Sequence, residues 1–327
     1  LAWRDDMREI VVRYGWFTAW ERYEPLFYYG SGGGGMIAYN DPRTWEWLVP
    51  LARVREPGTL AGDEWPLLEA TPTATRYAPE YTARVMALPH QVAVFPRPSG
   101  AVLVAGYALP ADSLPADPRI RAAAVVMADA DAPPAVSPWQ PTAASGAFQL
   151  ELPASPAVLS LEVREDSTRT LARQRQGIAW DADARVSDLL LLAHPEARPE
   201  NLDEAARIAR GSAEVRPGER VGVFWEMYGL PAGDSVTIRV GLMAPHAGWA
   251  RRRLEAIGIA RGARPARMGW REEMDGEAVA ARSVTVGIPR DLRPGEYTLE
   301  VSVNAPGRPT AVARRKVTVG GGGPPVR

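Results

Sequence analysis

Between residues 186 and 319, apolar and polar positions alternate with a period of two in four separate stretches. Val221, Val223, Trp225 and Met227 share one side, as do Val236, Ile238, Val240 and Leu242. Val284, Val286 and Ile288 follow, then Tyr297, Leu299, Val301 and Val303. Successive side chains of a strand point to opposite faces, so each stretch predicts a strand with one buried and one wet face, as in an antiparallel sheet lying on a core. The same grammar runs from about 85 to 180. It predicts strands over 91–95, 102–109, 122–128, 148–152 and 158–164, with strict alternation at Phe148, Leu150 and Leu152 and again at Leu159, Leu161 and Val163. The Pro- and Ala-rich stretch 129–145 reads as a long exposed connection. One helix is predicted over 202–209, where Asn201 and Glu204 are spaced as a capping box.

Residues 1–84 have a different texture. Six tryptophans fall here, Trp3, Trp16, Trp20, Trp45, Trp47 and Trp65, together with Tyr14, Tyr23, Tyr28, Tyr29 and Tyr39. Ile10-Val11-Val12 predicts a strand. Asp41-Pro42 predicts the start of a short helix over 43–49, with aspartate as N-cap, proline in the first turn and Pro50 as the stop. Further on, Leu292-Arg293-Pro294-Gly295-Glu296-Tyr297 leads into an alternating strand and has the form of the tyrosine corner of immunoglobulin-type sandwiches, whose phenol ties back to nearby backbone. The pattern as a whole predicts a mainly β chain. It comprises a small aromatic-rich α+β N-terminal domain over 1–84, a first immunoglobulin-like antiparallel β-sandwich over 85–185 and a second over 186–327. Trp225 is the predicted central core aromatic, Tyr297 the predicted structural tyrosine, and Gly320–Gly323 with Pro324-Pro325 a flexible tail.

Composition narrows this picture in two ways. The net charge of −1 supplies no global field toward nucleic acid or an anionic membrane. The absence of cysteine removes disulfides, thiolate metal sites and cysteine nucleophiles. Lys316 is the single lysine, every other basic residue being arginine, a skew expected of a GC-rich genome. No stretch reaches the roughly 18 apolar residues of a spanning helix. The first residue is leucine, and a removed signal peptide is expected ahead of it.

Several blocks resemble the GWxTD-domain proteins, a bacterial family with no established activity. Ala2-Trp3-Arg4-Asp5-Asp6 stands where Gly-Trp-x-Thr-Asp would be, with Ala2 for glycine and Asp5 for threonine. Ile10-Val11-Val12-Arg13-Tyr14-Gly15 is similar to the strand and glycine turn that follow it. Ser187-Asp188-Leu189-Leu190-Leu191, Phe224-Trp225-Glu226-Met227-Tyr228-Gly229-Leu230 and the Pro-Gly-x-Tyr segment resemble the family's C-terminal β region. The resemblance implies an exported bacterial protein with β-sandwich domains and brings no catalytic residues with it.

Candidate chemistry is sparse. Gly30-Ser31-Gly32-Gly33-Gly34-Gly35 satisfies G-x-G-x-x-G, but a dinucleotide loop needs a helix directly after it, and Asn40-Asp41-Pro42 interrupts one. His90, His194 and His246 are far apart, each beside a proline, and read as loop or strand-end residues. Asp129-Ala130-Asp131 and Asp181-Ala182-Asp183 lack the fuller spacing of a calcium loop. Glu272 and Glu273, adjacent on a strand, point to opposite faces. From Trp249 to Arg271 there are seven arginines, including Arg251-Arg252-Arg253, followed at once by Glu272, Glu273, Asp275 and Glu277. This reads as a solvated loop or a docking surface for an acidic partner.

These features predict no enzyme, cofactor, metal or nucleic-acid partner. They predict a structural or accessory subunit outside the cytoplasmic membrane, periplasmic or otherwise extracytoplasmic. It would dock on the protein subunits of a larger membrane-associated assembly, of which a photosynthetic reaction-centre complex is one example. Trp16, Trp20, Trp45, Trp47, Trp249, Arg251, Arg252 and Arg253 are the candidate contact residues, because tryptophan and arginine are enriched at interface hot spots. Two alternatives stand beside this reading. One is a carbohydrate- or small-ligand-binding module using exposed tryptophans; the other is an enzyme with a carboxylate site among Asp5, Asp6, Glu9, Glu21, Glu24, Asp41 and Glu46.

Overall fold

The computed structural model describes residues 19–22, 36–39, 83–128, 134–243 and 267–320. The strand predicted over 10–12, the helix over 43–49 and the glycine run at 30–35 lie outside the described residues. Of the N-terminal region, two strands are described, β1 (Ala19–Arg22) and β2 (Met36–Tyr39), paired antiparallel with Ala19 opposite Tyr39.

The chain is mainly β and its strands form several sheets. Two compact units separate, and neither is continuous in sequence. One comprises 1–88, 109–144 and 150–180; the other comprises 89–108, 145–149 and 181–327.

In the first unit, β3 (Arg84–Ala87), β6 (Ile120–Met127), β7 (Ala135–Pro141), β9 (Ala157–Glu165) and β10 (Thr170–Ile178) form a sheet in the order β3-β10-β9-β6-β7. Its core face is set by register. Ala122, Ala124 and Val126 lie opposite Val163, Leu161 and Leu159, and all six are buried. Strand β7 corrects the expectation of a loop over 129–145. An outermost strand pairs along one side only, so Pro138 costs the ladder nothing there, and the register of β6 and β7 shifts beside it. Strand β10, Thr-Leu-Ala-Arg-Gln-Arg-Gln-Gly-Ile, escapes sequence reading because polar residues occupy both of its faces.

The second unit holds three sheets. One is β4 (His90–Arg97), β5 (Gly100–Ala108) and β8 (Ser145–Leu152), the last of which runs out of this unit after Gln149. The next is β11 (Leu190–Leu192), β13 (Arg220–Tyr228) and β16 (Val279–Gly287). The third contains β12 (Glu214–Val215), β14 (Ser235–Met243), β15 (Arg267–Glu273), β17 (Gly295–Asn304) and β18 (Ala311–Val319), in the order β12-β18-β17-β14-β15. Each alternating stretch turns its apolar side to a common interior. Val221, Val223, Trp225 and Met227 of β13 meet Val236, Ile238, Val240 and Leu242 of β14 and Leu299, Val301 and Val303 of β17 in one cluster.

Strand β13 is buried on both faces, from Val221 through Met227. Its second face packs elsewhere. Phe224, with Leu190 and Leu192 of β11, joins Ala93, Phe95 and Val104 of the β4–β5 hairpin. The helix α1 (Leu202–Arg207) closes this second cluster through Leu202, Ala205 and Ala206. Asn201 caps the helix, its Oδ1 accepting from the Glu204 N–H at 3.0 Å, while the Glu204 carboxylate accepts from the Glu200 N–H at 3.0 Å. Both apolar faces of the short β11–β13–β16 sheet are thus covered, which is why β13 reads as a nearly unbroken apolar run.

Candidate functional site

A strand buried on both faces leaves no wet side for a charge, yet β13 carries Glu226, 2% exposed, on the face turned to the β4–β5 hairpin. Burying a carboxylate without a partner is prohibitive. The partner is Arg97, the last residue of β4, paired with Gly100 where the hairpin closes. Its Nη1 donates to Glu226 Oε2 at 2.6 Å and its Nη2 to Oε1 at 3.0 Å, a two-pronged pairing. Tyr228, two residues along β13, donates its hydroxyl to Oε2 at 2.7 Å. Arg97 Nη1 also reaches the Pro96 carbonyl at 2.8 Å. The Glu226 main chain is held in turn: its N–H donates to Ser187 Oγ at 2.9 Å, and its carbonyl accepts from the Ser187 N–H at 3.0 Å.

The electrostatics lock these protons in place. Burial pushes the Arg97 pKa down, but the hydrogen bond and charge of Glu226, with Tyr228 behind them, outweigh it, so the net shift is upward. Burial, and then the adjacent Glu226 carboxylate, push the Tyr228 phenol well above its ordinary value, Arg97 offsetting only part of this. A phenol so placed supplies no phenolate near neutral pH. The carboxylate already accepts three hydrogen bonds from groups of its own chain. The chemistry of the cluster is cohesive: it fastens the hairpin to β13.

Two further polar contacts act on the same junction. Gln91 of β4, 2% exposed, donates Nε2 to the carbonyls of Leu191 at 2.8 Å and Arg210 at 2.5 Å, and its Oε1 accepts from the Leu191 N–H at 3.0 Å. The amide thereby joins the outer edge of β11, where the Arg210 N–H also donates to the Leu191 carbonyl, at 2.8 Å. Gly106, on the facing strand, leaves room for this: a Cβ there would sit 2.3 Å from the Arg210 carbonyl oxygen. From the far sheet, Arg315 of β18 donates Nη2 to the Val92 carbonyl at 2.6 Å and Nε to the Leu189 carbonyl.

The residues singled out from sequence are placed as follows. Trp225 is fully buried, its ring 6.3 Å from that of Trp270 and tilted to it by 51°. Tyr297 donates its hydroxyl to the Arg293 carbonyl at 3.0 Å, four residues back. Trp20 lies on β1, with only its backbone described. Trp16, Trp45, Trp47, Trp249, Arg251, Arg252 and Arg253 lie outside the described residues. So do Asp5, Asp6, Glu9, Glu24, Asp41 and Glu46 of the alternative carboxylate site, of which only Glu21 falls on a strand, β1. The Asp181 carboxylate accepts from the Asp183 N–H at 3.0 Å in a local turn. Glu272 bonds Arg282 and the Trp270 indole, while Glu273, on the opposite face, is exposed. Among the described residues, no three histidine or carboxylate side chains gather as a metal site would require. No helix among them is long and apolar enough to cross a membrane.

Sequence reasoning passed over Arg97, Glu226, Tyr228, Gln91 and Arg315. One signal was present: Glu226 interrupts an otherwise apolar strand, and a charge at such a position demands a counterion from somewhere in the fold.

No family model matches the chain, and no curated protein matches it in sequence. Solved structures to which it is similar include a family 123 glycoside hydrolase from Clostridium perfringens, at 11% identity over 40% of this chain and 27% of that one, with a TM-score of 0.21. Red sea bream transglutaminase matches at 10% identity over 73% of this chain and 32% of that one, with a TM-score of 0.21. Escherichia coli alpha-2-macroglobulin matches at 13% identity over 69% and 22%, with a TM-score of 0.23. The chain therefore spans about a third or less of the length of these three proteins.

Proposed function

We propose that this chain is a non-enzymatic accessory subunit of a larger extracytoplasmic bacterial assembly, built on immunoglobulin-like β-sandwiches and related to the GWxTD-domain proteins. The observation that carries the reading is the closed cluster of Arg97, Glu226 and Tyr228. The Glu226 carboxylate accepts three hydrogen bonds from Arg97 and Tyr228 and is spent on joining sheets. Such an arrangement suits a rigid body that presents surfaces. The bond from Tyr297 to the Arg293 carbonyl, at a Pro-Gly-x-Tyr entry into β17, supports the immunoglobulin-like assignment because it is the tie a tyrosine corner makes. Trp139, 38% exposed, and Val136, 52% exposed, on the outermost strand β7 support a docking role, since exposed apolar residues of this size on one short strand are of the kind that contacts bury.

The test is native purification from membranes of the producing bacterium, followed by mass spectrometry. A stoichiometric membrane complex containing the chain is the expected result. Recovery of the chain as a monomer, with no co-purifying protein at gentle detergent and salt, overturns the proposal.

A further inference from the structure

The solvent face of the five-stranded sheet in the second unit has a charge pattern that its core face does not require. Register places the outward residues in rows: Arg271 opposite Thr237 opposite Asn304; Gly269 opposite Arg239 opposite Ser302 opposite Val312; Arg267 opposite Gly241 opposite Glu300 opposite Arg314; and Met243 opposite Thr298 opposite Lys316. Arg239, Arg271, Arg314 and Lys316 are all exposed. Within this central band the single acid is Glu300, bonded to Arg314 at 2.8 Å. The remaining acids stand at the corners, Glu273 at one and Glu296 with Glu214 at the other. Small residues fill the spaces between, and the Arg239 stem lies over Gly269, its Cγ 3.3 Å from where a Cβ would be. The face is therefore positive in the middle and negative at two ends.

We infer that this face is the docking surface for an acidic patch on a partner protein, a patch of clustered carboxylates with basic residues at its margin. The inference rests on the accessory-subunit reading above and deepens it. Charge complementarity selects the class of partner. Four acids share the sheet face with its basic residues, so a uniformly anionic lipid surface or nucleic-acid backbone would meet Glu273, Glu296, Glu214 and Glu300 as well as the arginines. A protein can match each sign in its place, and such matching sets register and excludes wrong partners. Arginine is, with tryptophan and tyrosine, among the residues enriched at the hot spots of protein contacts.

The sequence contains its own reporter. Lys316, on this band, is the only side-chain amine in the chain. Carbodiimide activates a carboxylate, and an amine in direct contact displaces the urea to form an amide. Within these 327 residues, a cross-link from a lysine to a partner's Asp or Glu can form only at Lys316. Full-length chain in native membrane extract is treated with carbodiimide and digested. The expected product joins Lys316 to a peptide rich in Asp and Glu from a co-purifying protein. R239E/R271E, which keeps Lys316 and alters only exposed side chains, loses the cross-link. About 0.5 M salt suppresses it in the wild type, because screening acts within a few ångströms at that strength. Preserved thermal melting of the variant separates loss of docking from loss of fold. If the complex co-purifies while Lys316 forms no cross-link, or R239E/R271E keeps it, the accessory reading stands and this face is the wrong one. If vesicles containing phosphatidylglycerol, or a DNA oligonucleotide, bind the wild type and not R239E/R271E, the partner class is wrong. If nothing co-purifies, both inferences fall together.

Discussion

Arg97 and Glu226, 129 residues apart in sequence, meet through two parallel hydrogen bonds of 2.6 and 3.0 Å, with 27% of the arginine side chain and 3% of the glutamate side chain exposed. The pair joins the tip of the β4–β5 hairpin to β13 near its C-terminal end. Removing the arginine leaves the Glu226 carboxylate buried without its counterion. Arg97→Ala is expected to destabilise the second unit by about 3–5 kcal/mol, and Tyr228→Phe, which forfeits one hydrogen bond to the carboxylate, by about 1–2 kcal/mol. Urea midpoints of the two variants and of their double variant test this; a midpoint for Arg97→Ala equal to wild type shows the cluster is ornamental.

The same junction decides what can be cut out of the chain. A fragment spanning 186–327 keeps β11 and β13 but lacks β4 and β5, so Phe224, Leu190 and Leu192 lose the layer formed by Ala93, Phe95 and Val104. Such a fragment is expected to bind a hydrophobic dye and to melt without cooperativity, and fusion of residues 89–108 to it should restore a sharp transition. A cooperative melt of the bare fragment contradicts the packing described above.

Glu165 gives the first unit an acid-sensitive element. The residue is 1% exposed, and its carboxylate accepts from the N–H and hydroxyl of Ser167 at 3.0 and 2.7 Å, from those of Thr168 at 2.6 Å each, and from the Arg119 N–H at 3.1 Å. Burial pushes its pKa up, but the hydrogen bonds from Thr168 and Ser167 prevail and hold it at about 2, against an ordinary 4.5. A carboxyl depressed in the folded state binds its proton more readily when unfolded. Its stabilisation is therefore complete above pH 4.5 and fades as pH falls from 4.5 toward 2. Glu165→Gln should flatten the stability profile in that window, read by denaturant titration at several pH values. An unchanged acid limb shows that Glu165 does not contribute it.

Tyr297→Phe removes only the bond to the Arg293 carbonyl, leaving the ring against the core cluster. Loss of one such solvent-exposed bond is expected to cost about 0.5–1 kcal/mol. Calorimetry should show a lowered melting temperature with an unchanged fold by circular dichroism, and no shift at all would remove the main support for a tyrosine corner here.

Much of the architecture was legible in particular residues. Val221, Val223, Trp225 and Met227 do share a side that faces a core, because period-two burial is local and survives in any register that covers one face. The helix at Asn201 was legible for the same reason, its cap being satisfied within four residues. Strand β7 was not, because prolines speak against a strand until one knows that it lies outermost. Nor was the role of Phe224, Leu190 and Leu192, since one alternating pattern does not say that the other side is also covered.

Alternation, caps and turn residues are short-range physics, and the sequence alone determined β13, β14, β16, β17, the helix and one inward side of each of these strands, while β15 emerged from a stretch that reads as a solvated loop or docking surface. Tertiary structure alone decided that residues 89–108 join that portion, that Glu226 finds Arg97, and that Arg239, Arg271, Arg314 and Lys316 fall in one band. Those relationships depend on which strands become neighbours. Neighbour choice is set by burying both faces of β13 and pairing its one charge, a condition met only when segments more than a hundred residues apart come together.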